Sequence, residues 1–565
     1  MKKILLLTLT LCLLAQWSAA QAPKWVEKAR HAVFSVVTYD GNDKILNTGN
    51  GFFVTEDGVA LSDYSLFKGA RRAVVVNSEG EQMPVASILG ANDMYDVIKF
   101  RVAITAKKVP ALTLSAINPA VDAAVYILPY STRKDRSYTS GRVKAADKFS
   151  DKYLYYTLNL HLKDKMVSCP VMTEEGQVFA LAQKSSGRDT ATICYAVDAN
   201  FATAQTVSAF SFNDMKDIGI KKALPDTEEK ALVFLFMASS QVSPQEYARL
   251  LDDFIARYPN SADGYIRRAT RQMSVSLDDA SMSKVAADMD KALEVAAKKD
   301  DVYYNRAKLV YNYMLAQPEK PYKDWSYDKA LKEIKNAMAV GELPVYVQME
   351  GDINFAKQDY AAALACYERV NGTNLASSAT FFSTAKTKEL MKAPVQEVLA
   401  LMDSCMSRFT EPYTEDAAPY LLERARVRMD ADQARGAILD YDAYYKAVQG
   451  NVNDVFYYYR EQAAMKAKQF QRALDDMAKA IELSPKDLTY YAELAVVNLR
   501  VGRNEDALKV LQDALKIDPK YAEAYRLTGI AQLQMKKKQE ACESFAKAKE
   551  LGDTNVDELI AKHCK

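Results

Sequence analysis

The stretch FQRALDDMAKAIELSP, residues 470–485, is followed 34 residues later by NEDALKVLQDALKIDP and, after another 34, by KQEACESFAKAKELGD. Each copy has a small residue, a bulky residue four positions on and a second small residue seven positions on. In the first copy these are Ala473, Met477 and Ala480, and proline closes the first two copies. Such a period predicts stacked helix pairs in place of one closed core.

This pattern resembles the tetratricopeptide (TPR) repeat. Tyr457, Tyr491 and Tyr525, again 34 residues apart, stand where that family uses tryptophan. The resemblance implies that alanines lie where the two helices of a pair cross, and that the bulky residue fills the space between pairs. Proline then sits in the turn, where its missing N–H costs nothing. A stack of this kind forms a concave groove suited to peptides or partner helices.

Helical periodicity begins near Asp226 and continues into the repeats. The sequence predicts about nine TPR-like helix pairs over 227–555, best formed over 453–555 and diverged before that. The polar segment 556–565 predicts a capping helix, because the last pair would otherwise expose its apolar face.

The N-terminal third of the chain has a different pattern. Short runs such as AVFSVVTYD and RAVVVNS alternate apolar and polar residues or are rich in Val, and Gly, Asn and Asp separate them. Many short strands with turn signals predict an all-β barrel or sandwich. We therefore expect a multidomain β plus all-α chain, with a β domain over 21–212, a linker over 213–226 and an α-solenoid after it.

Five segments of the β domain resemble, in the same order, segments of the HtrA/DegP-type trypsin-like serine proteases. They are GNGFFVTEDGVALSDYSLF at 49–67, ILGANDMYDVIKFRV at 88–102, YTSGRVKAA at 138–146, KMVSCPVMTEEGQVFAL at 165–181 and CYAVDANFA at 194–202. The resemblance covers most of the domain and implies a chymotrypsin-like fold of two β-barrels.

The chemistry of that family is not preserved in this chain. The mechanism needs a nucleophilic hydroxyl, an imidazole that takes its proton and a carboxylate that holds the imidazole. On the matched segments the imidazole position is Ser65, the carboxylate position is Asp96 and the nucleophile position is Val167. Lys165 replaces the glycine whose N–H helps to form the oxyanion hole. The resemblance therefore implies a pseudo-protease with a vestigial triad and no catalytic residue.

Two alternatives remain at this centre. A shift of one residue places Ser168 or Met166 at the nucleophile position, and Ser168 would still lack a base. Cys169 and His161 could instead form a Cys–His pair, against the plainer interpretation of a structural histidine and a buried or disulfide-bonded cysteine. Asp96 also has a structural interpretation, in which its carboxylate accepts hydrogen bonds from loop N–H groups.

Composition and motifs exclude several classes of function. The 74 basic and 73 acidic side chains give a net charge of +1, so bulk charge does not indicate nucleic acid or an anionic membrane as partner. The chain has no Gly-rich phosphate loop and no metal-ligand spacing. We therefore expect no cofactor and no metal.

The first 20 residues have the pattern of a signal peptide. Lys2 and Lys3 precede an apolar run at 4–14, and Ser18-Ala19-Ala20 supplies a cleavage site. A lipoprotein site at Cys12 is not expected, because the residue before it is Leu11 rather than a small residue. No later stretch is long and apolar enough for a transmembrane helix. The sequence thus predicts an exported protein of the periplasm or cell envelope, with secretion as the alternative.

Export permits disulfide bonds. Of the six cysteines after the predicted cleavage site, Cys169 with Cys194 and Cys542 with Cys564 are plausible local pairs. Cys366 and Cys405 are expected to be buried free thiols.

The concave face of the C-terminal repeats supplies the candidate partner-binding residues, which are Tyr458, Gln462, Lys466, Arg500 and Arg526. They lack the Lys–Asn pairing with which some TPR domains bind a C-terminal carboxylate, although Lys466, Arg500 and Arg526 could form a small basic strip. Ordinary solvated charge is the alternative.

The function predicted is an exported, non-catalytic adaptor that binds proteins or peptides through the TPR groove. The runner-up is a serine-protease homologue with residual or atypical peptidase activity. A hydroxyl or thiol near residues 165–169 within hydrogen-bond reach of an imidazole would distinguish the second from the first. An accessory subunit of one envelope complex is a third possibility, and the sequence leaves the partner and the oligomeric state open.

Overall fold

The structure is a computed structural model that describes residues 23–105, 107–132, 138–150, 152–183, 192–208, 211 and 213–564. The predicted signal peptide at 1–20 lies outside these residues. The chain divides into two compact units, Met1–Arg271 and Gln272–Lys565.

The first unit contains two closed six-stranded β-barrels among its described residues. The first barrel has the strand order β1-β2-β3-β6-β5-β4, and its strands are β1 Val33–Tyr39, β2 Ile45–Phe53, β3 Val59–Ser62, β4 Arg72–Val76, β5 Gln82–Asn92 and β6 Val97–Val102. The second has the order β10-β11-β12-β9-β8-β7, and its strands are β7 Ala124–Ile127, β8 Thr139–Phe149, β9 Tyr153–Asn159, β10 Pro170–Met172, β11 Val178–Gln183 and β12 Ile193–Asp198. This confirms the predicted chymotrypsin-like fold.

Alternation along the strands explains the barrels. Along most of β1, fully buried side chains alternate with partly exposed ones, as the period of two in its sequence requires. Phe34 and Phe53 pack with ring centroids 4.6 Å apart in the first barrel's core. Gly51 is required beside them, because a Cβ there would lie 2.6 Å from the Phe34 ring. A short helix precedes β1 (α1, Val26–Ala29) and another follows β12 (α2, Ala199–Ala204).

The segment 213–226 is packed structure, which corrects the prediction of a linker. Ile88 on β5 donates its N–H to the carbonyl of Lys221 at 2.8 Å and accepts from the N–H of Ala223 at 2.8 Å. Ile218 and Leu224 are buried in the same hydrophobic cluster as the first barrel. The apolar side chains of this segment attach it to the barrel. Its sequence has neither the period of a strand nor that of a helix, so the pattern did not predict this packing.

The first helix pair also belongs to the first unit. It comprises α3 Glu228–Ala238 and α4 Pro244–Arg257, and both helices bury their apolar side chains in the cluster that contains the first barrel's core. The boundary between the units falls within α5, Ala262–Val275, rather than at residue 226.

The remaining helices form the second unit, in which seven consecutive pairs run from α7 to α20 among the described residues. The bounds are α6 Asp279–Val295, α7 Asp300–Ala316, α8 Tyr327–Val340, α9 Pro344–Ala356, α10 Tyr360–Asn371, α11 Ser378–Leu390, α12 Val395–Met406, α13 Ala418–Asp430, α14 Ala434–Ala447, α15 Asp454–Lys466, α16 Phe470–Leu483, α17 Leu488–Arg500, α18 Asn504–Ile517, α19 Ala522–Gln534, α20 Lys538–Glu550 and α21 Asp557–His563. None of the helices described is long and apolar enough to cross a membrane.

The repeated residues lie where helices approach each other most closely. Ala473, Met477 and Ala480 on α16 are all fully buried, as are their counterparts on α18 and α20. Gly529 on α19 shows how close the crossing is, since a Cβ there would lie 2.4 Å from the Phe545 ring. The short helix α21 follows the last pair, where the sequence predicted a capping helix.

Candidate functional site

The segments that match the triad positions begin at the end of β3, where the chain enters a 3-10 turn, Tyr64–Leu66. Ser65 on this turn donates its backbone N–H to Asp96 Oδ1 at 2.6 Å and its hydroxyl to Asp96 Oδ2 at 3.0 Å. The residues at the imidazole and carboxylate positions are therefore direct neighbours. Asp96 accepts hydrogen bonds from the turn, which is the structural interpretation made from the sequence, and a hydroxyl cannot act there as a base at neutral pH.

The loop that carries the nucleophile position is attached to the first barrel. Asn50 on β2 donates its side-chain amide to the carbonyls of Val167 at 2.8 Å and Lys165 at 3.2 Å. Ser168 donates its hydroxyl to Asp63 Oδ2 at 2.6 Å. Because Asp63 is two residues before Ser65, the fold brings all three predicted triad positions to one place.

The possible substitute nucleophiles in this loop are engaged elsewhere. Ser168 is fully buried, and its hydroxyl faces a carboxylate instead of an imidazole. Cys169 is also fully buried, and its thiol faces the carbonyl of Lys165 at 3.8 Å. Burial raises the pKa of the Cys169 thiol, which disfavours the thiolate that a Cys–His pair would need. His31 is bonded to another residue, with its Nδ1 3.0 Å from Ser78 Oγ.

Asp63 is the residue at this centre that the sequence analysis missed. It is 3% exposed, and its Oδ1 has no hydrogen-bond partner among the residues that the structure describes. Burial, followed by repulsion from Asp96, raises the pKa of Asp63 well above its usual value, while the hydrogen bond from Ser168 acts in the opposite direction. In the sequence it resembles an ordinary loop aspartate after a strand. Its position next to the triad segment was the only available signal.

The expected disulfide between Cys169 and Cys194 is absent, since both residues are buried free thiols. Cys169 precedes β10 and Cys194 lies on β12, and β11 runs between these two strands in the barrel. The prediction rested on the short distance between the two cysteines in the sequence and on an oxidising compartment. Neither of these indicates which strands are neighbours in the barrel. Cys366 and Cys405 are buried free thiols, as expected.

The other expected pair is bonded. Cys542 on α20 and Cys564 after α21 form a disulfide that joins the terminal helix to the last pair.

The proposed groove residues lie on the first helices of the last three pairs, and the structure divides them. Arg526 is paired with Asp553 at 2.7 Å and with Glu523 at 2.5 Å, and Lys466 is paired with Asp432 at 2.9 Å. Arg500 is exposed, without an ion pair in the part of the chain that the structure describes. The predicted basic strip is therefore mostly neutralised within the molecule.

Tyr458 and Gln462 have a different environment, because both adjoin a buried acid. Gln462 donates its amide to Glu461 Oε2 at 2.7 Å, and the Tyr458 ring lies 6.1 Å from that of Tyr490. Glu461 is fully buried, and its Oε1 has no hydrogen-bond partner. Burial, then repulsion from Glu493, raises the pKa of the Glu461 carboxyl to about 8.

The 34-residue period shows why Glu461 is unusual. The equivalent positions in the next two repeats are Ala495 and Gly529, and both lie at close helix contacts. Glu461 therefore places a carboxyl where the neighbouring repeats need a small residue. The difference from Ala495 and Gly529 is visible in the sequence alone. The sequence analysis considered basic residues of the groove and therefore did not single out Glu461.

Neither the barrels nor the repeats suggest a metal centre. No group of three or more His, Cys, Asp or Glu side chains within the described ranges is placed to hold a metal ion.

Comparison with known families agrees with both halves of this structure. The family model of the trypsin-like peptidase domain matches residues 49–181, and a tetratricopeptide repeat model matches residues 464–533. Both resemblances drawn from the sequence are thereby confirmed.

Two of the curated proteins with similar sequence are named for their tetratricopeptide repeats. The chain is 35% identical to small glutamine-rich tetratricopeptide repeat-containing protein 2 of Mycosarcoma maydis over 92 residues, 16% of this chain and 26% of that protein. It is 28% identical to the Saccharomyces cerevisiae protein of the same name over 99 residues, 18% and 29% of the two chains. DnaJ homolog subfamily C member 7 of Homo sapiens is 29% identical over 89 residues, 16% and 18% of the two chains.

These matches are partial. The chain spans less than a third of the length of each of these three relatives.

Proposed function

We propose that this protein is an exported, non-catalytic adaptor that binds protein or peptide partners through its helical repeats, with a pseudo-protease as its β domain. The observation that carries the non-catalytic part is the direct bond between Ser65 and Asp96 beside Val167. A hydroxyl occupies the place of the base and an isopropyl group the place of the nucleophile, so proton abstraction and acyl transfer both lack their group.

The adaptor part rests on the repeats. Seven helix pairs stack in the second unit, and their first helices present polar and aromatic side chains such as Tyr458 and Gln462 that are only partly buried. Stacked pairs offer an extended surface to a peptide or a partner helix. The periplasm or cell envelope is the compartment that the N-terminal pattern favours.

A fluorophosphonate probe and a casein assay test the non-catalytic part. The expected result is no labelling and no turnover, because Ser168, the serine next to the nucleophile position, donates its hydroxyl to Asp63. Labelling that disappears in Ser168→Ala but persists in Ser65→Ala would establish the alternative, a residual peptidase. Cell fractionation with an N-terminal truncation as the control tests export.

Photocrosslinking in cells tests the adaptor part. A photoreactive amino acid at Tyr458 should yield specific protein adducts, while one at Lys509, exposed on the second helix of its pair, should yield few. Equal adduct patterns at both positions would contradict binding in the groove.

A further inference from the structure

The first helices of the last pairs carry carboxylates that are not matched by positive charge. Glu461 on α15 is fully buried, and its Oε1 has no hydrogen-bond partner among the described residues, while Glu493 on α17 is half-buried. No ion pair of Glu493 occurs among the residues described. Gln462 donates its side-chain amide to Glu461 Oε2 at 2.7 Å, and its interaction with Glu493 lowers the pKa of that carboxyl, against the larger effects of burial and Glu523.

Most positive charges of the same region are already paired. Arg460 pairs with Asp476 at 2.6 Å and with Asp442 at 3.1 Å. Lys466 and Arg526 form the ion pairs described above. Arg500, two helical turns after Glu493 on α17, is exposed and has no ion pair among the described residues. Next to Glu461 itself, the unmatched charge is that of the Glu493 carboxylate, where the sequence predicted a basic strip.

We propose that the surface formed by Tyr458, Gln462 and Glu493, together with the buried Glu461, binds a Lys or Arg side chain of a protein partner. This inference rests on the proposed function, because it specifies the chemistry of the partner that the repeats would bind. The surface is named the acidic cup below.

Each member of the acidic cup has a distinct part. Glu493 supplies the carboxylate that an ammonium or guanidinium group contacts. The Tyr458 ring offers its face to the cation, since a cation over an aromatic ring is attracted by the ring quadrupole. Gln462 is held by the Glu461 carboxyl group, which accepts its amide. Glu461 is therefore a positioning residue, and it adds negative potential from below the surface once it ionises near pH 8.

The residue types at the equivalent positions of the repeats support this assignment. A carboxyl group at a position that takes Ala495 and Gly529 in the next repeats lowers the stability of the stack, because its Oε1 is buried without a partner. Residues that do not suit their local position in a fold, as Glu461 does not, are common at functional sites. An organic cation fits better than a metal, since the described residues hold no group of three or more carboxylate, imidazole or thiol ligands.

The electrostatic environment gives the interaction a pH signature. Burial and the facing acids Glu493 on α17 and Asp476 on α16 raise the pKa of Glu461 to about 8. A cation beside Glu493 would favour the ionised form of Glu461 and release a proton. Binding should therefore strengthen as the pH rises toward 8.

The test uses the full chain and fluorescein-labelled heptapeptides with a central Lys, Arg, Ser or Glu, measured by fluorescence anisotropy. The Lys and Arg peptides should bind, and Glu493→Gln should weaken their binding at least about tenfold. Glu505→Gln is the matched control, because Glu505 is an exposed glutamate on the second helix α18. Equal affinity for the Glu and Lys peptides would overturn the inference.

The variants Glu461→Ala and Glu461→Gln distinguish a role of Glu461 in binding from a role in stability alone. We expect both variants to melt at a higher temperature than the parent chain and yet to bind the Lys peptide several-fold more weakly. Calorimetry in two buffers of different ionisation enthalpy should show proton release in the parent chain and none in Glu461→Gln. Unchanged affinity and unchanged proton release in these variants would overturn the part assigned to Glu461.

Crosslinking distinguishes failure of this inference from failure of the proposed function. If a photoreactive group at Tyr458 captures partners and Glu493→Gln leaves that capture unchanged, the cation assignment is wrong while the adaptor function stands. If neither peptide binding nor capture occurs, the proposed adaptor function itself is wrong.

Discussion

Among the described residues, each unit of this protein buries one carboxyl group with an oxygen that lacks a hydrogen-bond partner. Asp63 lies beside the predicted triad positions and Glu461 lies among the repeats. Burial is the largest cause of the raised pKa in both groups, and a neighbouring acid is the second. The same physics therefore acts on two unrelated folds.

The surroundings of the two acids differ. Asp63 accepts a hydrogen bond from the buried Ser168, and the acid that repels it, Asp96, is held by Ser65. Glu461 faces Glu493, which is half-buried and has no ion pair among the described residues. Asp63 therefore lies in a network of internal hydrogen bonds, whereas Glu461 lies next to a surface carboxylate without an ion pair among the described residues. A buried acid indicates a binding site only when its neighbours are also unsatisfied.

The largest effect is expected when a further acid without a partner is buried among the repeats. Ala507→Glu places a carboxylate at a fully buried helix crossing on α18, without the amide neighbour that Glu461 has. The free energy of unfolding of the second unit should fall by at least about 3 kcal/mol. Denaturant titration of the full chain measures it, with Lys509→Glu on the same helix as the exposed control. Equal stability of the two variants would mean that the stack tolerates charge at its crossings.

The pH dependence of the second unit should identify Glu461. Because the folded-state pKa of this carboxyl is raised from 4.5 to about 8, its contribution to stability is fully present below about pH 4.5 and is lost as the pH rises through about 8. Across that window the loss is at most about 1.4 kcal/mol per pH unit. Urea unfolding between pH 5 and 9 should show this slope in the parent chain and a flatter curve in Glu461→Gln.

Asp63→Asn applies the same reasoning to the first unit. The amide keeps the shape of the side chain and removes an acid whose ionised form burial disfavours, so the stability of the first unit at neutral pH should rise by about 1 kcal/mol. Peptide binding to the repeats should not change, in contrast to Glu461→Gln. Thermal melts and the anisotropy assay check both statements. A loss of peptide binding in this variant would mean that the enclosed acid also serves recognition.

The smallest effect, that of Arg500→Ala, is measured against Arg526→Ala, its counterpart in the expected basic strip. Arg526→Ala should lower stability by about 1–2 kcal/mol, because it leaves Asp553, with a side chain only 7% exposed, without its ion pair. Arg500→Ala should cost less than about 0.5 kcal/mol, since Arg500 is exposed. Melting temperatures of the two single variants test the ranking, and a reversed order would contradict the ion-pair assignment.

Sequence patterns predicted most of the architecture for clear reasons. A period of two along β1 and a period of 34 through the repeats are properties of neighbouring residues, which the chain itself records. The identities of Ser65, Asp96 and Val167 were likewise evident, because the resemblance placed the segments in order. The linker prediction for 213–226 was wrong because side-chain packing on a barrel leaves no period in the sequence.

The amino-acid sequence by itself determined the two folds, the residue types at the matched triad positions and the positions of the repeat alanines, since each depends on local identity and spacing. Only the tertiary structure decided that Cys169 and Cys194 are unbonded, that Arg526 is paired internally and that Asp63 and Glu461 are buried without full partners among the described residues. These properties depend on which side chains meet across elements distant in the chain. Burial then changes the energy of a charge by amounts that no local pattern reveals.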